Sequence, residues 1–146
     1  MTGESAEERI ELVRRGFDAY NGSDFEAVLD HFDAEVELHT ADGLPNAGTY
    51  RGHEGFAHWA QQWEEAWEDF RPEPRRIEAV GERHAVADVL QTGRGRGSGV
   101  EVEMTLGYVF EYVGGRATYV ALHPTFDEAM SVAREREGIA GPEQSE

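Results

Sequence analysis

The stretch from Phe17 to Gly55, FDAYNGSDFEAVLDHFDAEVELHTADGLPNAGTYRGHEG, sets two helix signals, a strand and a long loop in close succession, and few topologies accommodate that order. Ile10, Val13, Phe17 and Tyr20 recur at about one helical turn, so a first helix has one apolar face. Asn21-Gly22 ends it. Ser23 or Asp24 then caps a second, shorter helix by accepting from its free backbone N–H groups, and Phe25, Val28, Leu29 and Phe32 form its apolar stripe. Val36 and Leu38 alternate with Glu37 and His39, the period of a strand. Thr40 to Tyr50 reads as a loop.

His53 to Phe70 predicts a long amphipathic helix, with Phe56, Trp59, Ala60, Trp63, Trp67 and Phe70 on one broad face. Four strand-like runs follow, near Pro74 to Val80, Ala85 to Thr92, Val100 to Tyr112 and Arg116 to His123. Gly81-Glu82, the Gly-rich Gly93 to Gly99, and Gly114-Gly115 separate them. A last helix spans about Asp127 to Glu137. Residues 1–137 are expected to form one domain, and 138–146 a flexible acidic tail.

This succession resembles the SnoaL-like branch of the NTF2-like superfamily. The resemblance rests on the helix, the small-Asp turn, the short helix, the D-A-x-V-x-L strand, the Gly/Pro loop and the G-H-E-G helix start. It covers roughly residues 5 to 130. It implies an α+β cone: N-terminal helices packed in a strongly bent, mostly antiparallel sheet, a short C-terminal helix, and a pocket between helices and sheet. It also implies a homodimer formed through the sheet's outer face, where Glu101, Glu103 and Glu111 would oppose one another unless salt or arginines intervene.

Composition narrows the partners. The chain has 146 residues, 39% of them hydrophobic, enough for one domain with a real core. It contains no cysteine, which removes disulfides, thiolate nucleophiles and thiolate metal sites together. Asp and Glu number 30 against 13 basic residues, all arginine, for a formal net charge of -17. Such self-repulsion is screened over about 10 Å at 0.1 M salt, so a high-salt cytosol is one explanation; a GC-rich coding bias would also remove lysine. A polyanion makes a poor nucleic-acid partner, and Arg94-Gly95-Arg96-Gly97 reads as a flexible turn. No run has the length of a membrane span. The start, MTGESAEER, is acidic where a secretory signal is basic, so the cytoplasm is the expected location.

Two carboxylate or imidazole groups are candidates for chemistry. In Val100 to Tyr112 the even positions, Met104, Leu106, Tyr108, Phe110 and Tyr112 among them, form the apolar, inward face. In the neighbouring strand Val86, Asp88 and Leu90 share one face and Ala85, Ala87, Val89 and Gln91 the other. If the valine face is inward, Asp88 is a carboxylate on an apolar wall, where burial raises its pKa as an acid or base requires. If the alanine face is inward, Asp88 is solvated or paired with an arginine. His39, ending the first strand at the pocket mouth, has a pKa range suited to proton transfer, or it bonds a loop carbonyl. His31, His53, His58 and His84 read as peripheral. Glu37 and His39 stand two apart as possible metal ligands, but no known metal-site spacing is present, so no metal is expected.

Tyr20, Trp59, Trp63, Met104, Tyr108 and His123 are the candidate ligand contacts, expected to give an aromatic cavity for a small apolar or aromatic ligand. The resemblance also tests particular chemistries. In the ketosteroid isomerase branch, the first-helix tyrosine falls here near Gly16, the base near Leu38 and the sheet aspartate near Leu106, none of which supplies the required group. The limonene epoxide hydrolase branch needs two carboxylates flanking an arginine, which the strand of Asp88 lacks. The polyketide cyclase branch needs one pocket acid or base, which Asp88 or His39 would supply. Two expectations stand: cofactor-free acid–base catalysis of cyclase, hydrolase or isomerase type, or a binding protein in which no proton moves.

Overall fold

Ser5 sets the start of helix α1 (Ala6–Asn21). Its hydroxyl accepts from the Glu8 N–H at 3.1 Å, and the Glu8 carboxylate accepts from the Ser5 N–H at 2.8 Å, a reciprocal cap. Val13, Phe17 and Tyr20 are buried along the expected face. At the other end the Gly22 N–H closes on Asp18 O at 2.9 Å. Asp24, one of the two expected caps, accepts from the Ala27 N–H at 3.2 Å and opens α2 (Phe25–Asp30). The structure, a computed structural model, describes residues 4–139.

Six strands follow or interleave: β1 (Phe32–Thr40), β2 (Gly48–Arg51), β3 (Trp67–Val80), β4 (His84–Gly95), β5 (Glu101–Val113) and β6 (Arg116–His123). Helices α3 (Gly52–Ala66) and α4 (Phe126–Glu137) complete the set. The strands form one curled, unclosed sheet in the order β2-β1-β6-β5-β4-β3, parallel between β1 and β6 and antiparallel elsewhere. This is the expected α+β architecture.

Three element bounds differ from the sequence expectation. The long loop contains a strand, because Gly48 to Arg51 return antiparallel along Glu37 to Thr40. The third helix stops at Ala66 instead of Phe70. Trp67 is already extended, and Trp67 and Glu68 pair with Gly95 and Arg94. The same pairing makes Gly93 to Gly95 strand instead of turn. Asp69 relieves the mismatch at a register shift between Glu68 and Arg71, with a positive φ of 55°. The expected tail begins at Gly138, the left-handed cap of α4, and its residues 140–146 lie outside those described.

Each face of the sheet buries its own cluster. The inner face sets Val36, Leu38, Ala85, Ala87, Val89, Leu106, Tyr108, Phe110 and Tyr112 against α1 and α3. The outer face sets Val80, Val86, Val109 and Ala121 beneath Ala129 and Ala133 of α4. Contact there is so close that a Cβ on Gly107 would lie 2.4 Å from Thr125 O and 2.8 Å from Ala129 Cβ. α4 therefore covers the middle of the face expected to dimerise, and Glu111 is paired with Arg83 at 3.1 Å and Arg136 at 2.8 Å.

Beyond the cluster, a polar clasp ties the two terminal helices to the β3–β4 turn. Buried Arg9 donates to Val80 O at 3.2 Å, His84 O at 2.7 Å and Gly81 O at 2.9 Å. From α4, the Glu137 carboxylate accepts from the Glu82 and Arg83 N–H groups at 3.1 and 2.8 Å and meets His84 Nδ1 at 2.5 Å. Burial alone would raise the Glu137 pKa; the His84 ring and the two N–H groups outweigh it and hold it at about 2.

Candidate functional site

Inside the curl lies an apolar cavity. Its volume is about 60 Å³. α1 contributes Gly16, Phe17 and Tyr20, α3 contributes Phe56 and Trp59, and the β5 column contributes Tyr108, Phe110 and Tyr112. The three β5 rings stand in register, Tyr108–Phe110 and Phe110–Tyr112 both 6.0 Å apart and tilted by only 21° and 11°. Gly16 is the gap in this lining: a Cβ built there meets nothing within 4 Å. It occupies the position where the isomerase branch is expected to place a tyrosine, and here that space belongs to the cavity.

Polar groups on this wall are few. Tyr20 donates from its hydroxyl to Glu64 Oε2 at 2.9 Å. Burial first, and Glu64 second, push its pKa far up. Tyr108 donates to Gln91 Oε1. Burial also pushes the Tyr108 and Tyr112 hydroxyls far above the ordinary tyrosine value. These phenols stay protonated and act as hydrogen-bonding groups, not as bases. Trp59, 4% exposed, lines the cavity, and its Nε1–H finds no acceptor among the described residues.

Among the described residues, His31 is the one histidine on the lining. It closes α2, its N–H bonded to Val28 O at 3.0 Å and its carbonyl accepting from the Ala117 N–H at 2.7 Å, so its backbone is held from both sides. Burial, and then the nearby Arg15 charge, lower its pKa, and the imidazole is neutral at pH 7. The sequence reads His31 as peripheral. The signal was nonetheless present, since His31 lies three residues beyond Val28 and next to Phe32, on the stripe that was read as buried.

The two catalytic candidates lie elsewhere. Asp88 sits on the outer face of β4, opposite Arg76 on β3 and Gly107 on β5. The alanine face is the inward one because the β5 rings fill the volume there: Ala85 pairs with Phe110 and Ala87 with Tyr108. Asp88 Oδ1 is buried and finds no hydrogen-bond partner among the described residues. His39 is also on an outer face. Its Nδ1 lies 3.1 Å from Thr49 Oγ1 and its Nε2 3.1 Å from Glu37 Oε1, with the ring 5.2 Å from that of Tyr119. The Glu37 carboxyl, bonded first to His39 and then to Arg51, is held below its usual range.

Of the six ligand contacts expected, Tyr20, Trp59 and Tyr108 line the cavity and three do not. Trp63 packs one layer behind, stacked on Phe70 at 5.1 Å. Met104 packs against the rim of the core. His123 points outward to α4, Nδ1 3.4 Å from Glu128 Oε2, because Val120 and Leu122 take the inward parity of β6. Among the described residues no three or more His, Asp or Glu side chains converge as metal ligands. No described helix is long and apolar enough to cross a membrane.

Among the described residues, four helices on a curled, open, mixed six-stranded sheet make an NTF2-like α+β fold. Solved structures share this fold. An NTF2-like protein of unknown function from Burkholderia pseudomallei superposes with a TM-score of 0.72 at 19% identity, over 86% of this chain and 97% of that one. TerC, co-crystallised with polyporic acid, gives 0.72 at 18%, over 85% and 98%. Bal32a, from a soil-derived mobile gene cassette, gives 0.69 at 25%, over 81% and 89%. Other neighbours carry the names polyketide cyclase and hydroxylase. No curated protein matches the chain. Residues 13–120 match the SnoaL-like domain, and the chain belongs to the SnoaL-like family.

Proposed function

We propose that the protein binds a compact, mainly apolar or aromatic molecule bearing an oxygen function, and that His31 exchanges a proton with it without a cofactor. The observation that carries this reading is the placement of a neutral imidazole on an apolar wall of aromatic and aliphatic side chains. A base with a lowered pKa is free of its proton at pH 7 and can accept one from a bound molecule. Neighbours of the same fold crystallised with small ligands, polyporic acid in one and trimethylamine in another, support a ligand pocket here.

The reaction class that fits is enolisation, in which a proton leaves the carbon beside a carbonyl and the oxygen gains hydrogen bonds. Deuterium uptake by phenylacetone in D₂O, followed by proton NMR, tests it. The wild type should exchange the probe at least about 100-fold faster than H31Q, the lower end of what a positioned base supplies. Equal rates overturn the catalytic role. A non-catalytic binding protein is the second reading, favoured by the absence of any carboxylate from the lining among the described residues, Glu64 being engaged by Tyr20. It predicts probe binding with no exchange in either form. The reading also takes the protein to be cytoplasmic and homodimeric, pairing through the sheet's outer face beyond α4; light scattering reads the mass.

A further inference from the structure

Arg14, Arg71 and Arg75 converge on one cleft from two elements. Arg14 stands on α1, Arg71 and Arg75 on β3, and the open cleft between them measures about 370 Å³. Such convergence runs against the charge of this chain. With 30 acidic residues against 13 arginines, Coulomb energy favours spreading the cations among the carboxylates. Arg15 and Arg76, sequence neighbours of two of the three, follow that rule and pair with Glu11 at 3.3 Å and Glu78 at 2.5 Å. Arg14 and Arg75 have no ion-pair partner among the described residues. Arg75 owes its place to a bulge: β3 pairs Pro74 with Val89 and Arg76 with Asp88, so Arg75 is the extra residue, of the kind that re-aims a side chain. The walls are fastened together. Asn21 Nδ2 donates to Pro72 O at 2.8 Å, tying α1 to β3, and Arg71 Nε donates to Glu73 Oε2 at 3.1 Å. With Glu73 engaged, Asp18 is the one unpaired carboxylate on the lining among the described residues.

We propose that this cleft is a second binding site, for a compact polyanion whose charge is carried by phosphoryl or carboxylate oxygens, with Arg14 and Arg75 as its receptors and Arg71 as their support. Guanidinium forks match the paired oxygens of both groups and stay charged at any working pH. The size of the cleft falls within the about 300–1,000 Å³ usual for small-molecule sites. It is separate from the aromatic cavity. Arg14, Asp18 and Asn21, at i, i+4 and i+7, share one flank of α1, whereas Leu12 and Gly16, which line the cavity, lie on the other. The net charge of -17 repels anions from the surface at large, so a lone arginine elsewhere should hold none. Arg116, exposed at the start of β6 and without an ion pair among the described residues, is the matched control.

NMR titration of the full chain with pyrophosphate and with citrate, in about 0.1 M KCl, tests the site through the arginine Nε–H signals. At least one anion should shift Arg14 and Arg75 and saturate. Pyrophosphate alone points to a phosphoryl ligand, citrate alone to a polycarboxylate, and both to an oxyanion site in general. Arg14→Gln and Arg75→Gln should each weaken that binding at least about 10-fold, the worth of one charge-assisted hydrogen bond. Asp18→Asn should tighten it, and Arg116→Gln should leave it within about 2-fold. An equal loss in all three arginine variants means that the anion responds to overall charge, and overturns the site. Silence with both anions overturns it too. A phenol titration of the cavity, followed at the Trp59 indole N–H and the His31 ring, should stay within about 2-fold at saturating anion, as for independent sites. Displacement of phenol by the anion would put the anion in the cavity and overturn the separate cleft. Phenol that shifts neither signal counts against the pocket reading above, while the anion titration still decides the cleft.

Discussion

Gly16 stands in the interior of α1, where glycine costs roughly 0.5–1 kcal/mol relative to alanine because its backbone loses more freedom on folding. A glycine in that place is usually excused by a neighbour that leaves no room for a methyl. Here nothing lies within 4 Å of the added Cβ, and the residue lines the cavity. For folding alone, alanine would be the better residue. Gly16→Ala should therefore raise stability by roughly 0.5–1 kcal/mol, about 1–4 °C in Tm for a domain of this size, while taking space from a cavity of only about 60 Å³. Gly16→Leu, also a good helix former, should lower phenol affinity more than 10-fold with the fold retained. Calorimetric melting and the phenol titration read the two effects separately. Stabilisation by alanine together with loss of ligand by leucine would show that the glycine serves the cavity at the expense of the helix. The reasoning fails if alanine destabilises, since the space is then not free, or if leucine binds phenol as well as the wild type does.

Three further outcomes follow from the placement of charge. The Glu137 pKa falls from 4.5 to about 2 on folding, so its contribution is present above pH 4.5 and lost as pH drops through that window. The pKa difference corresponds to on the order of 3 kcal/mol, and urea melts of wild type against E137Q should differ most above pH 4.5 and converge towards pH 2; parallel curves would refute the clasp. Asp88→Asn and His39→Gln alter residues off the cavity and should leave phenol affinity within about 2-fold, and a larger loss in either would return that residue to the site. With a net charge of -17, Tm should climb steadily as KCl rises from 0.05 to 2 M, as the screening length shrinks to about 3 Å near 1 M; a flat Tm means the acidity costs the fold nothing.

Periodic features were legible and pairing features were not. The α1 stripe of Val13, Phe17 and Tyr20 and the inward column of Tyr108, Phe110 and Tyr112 are set by local period, and the structure keeps both. The third helix overran because Trp63, Trp67 and Phe70 continue a helical spacing. Only the approach of Gly93 to Gly95, some 25 residues downstream by sequence number, draws Trp67 into a strand. A Cβ on Gly93 would lie 3.0 Å from the Trp67 ring, so the glycine admits the ring that ends the helix. That is a tertiary contact overriding a local pattern, and no window of residues contains it.

The displacement of the candidate site has the same origin in a sharper form. A strand offers two parities, and a shift of one residue exchanges its faces entirely. In VADVL both faces of β4 are credible, since Val86 and Leu90 are the larger side chains and would ordinarily be taken as core. Val86 is core, but of the outer cluster, because α4 packs there and supplies Ala129 and Ala133 as its counterpart, while Leu90 is only half-buried. The inner cluster already holds the β5 rings and accepts from β4 only alanine opposite Phe110 and Tyr108. Two apolar faces on one sheet make the larger side chains a poor guide to which side is the cavity. The informative residue was the polar one on the small face: Gln91, whose buried amide has no reason to stand among alanines and valine except to hold the hydroxyl of Tyr108.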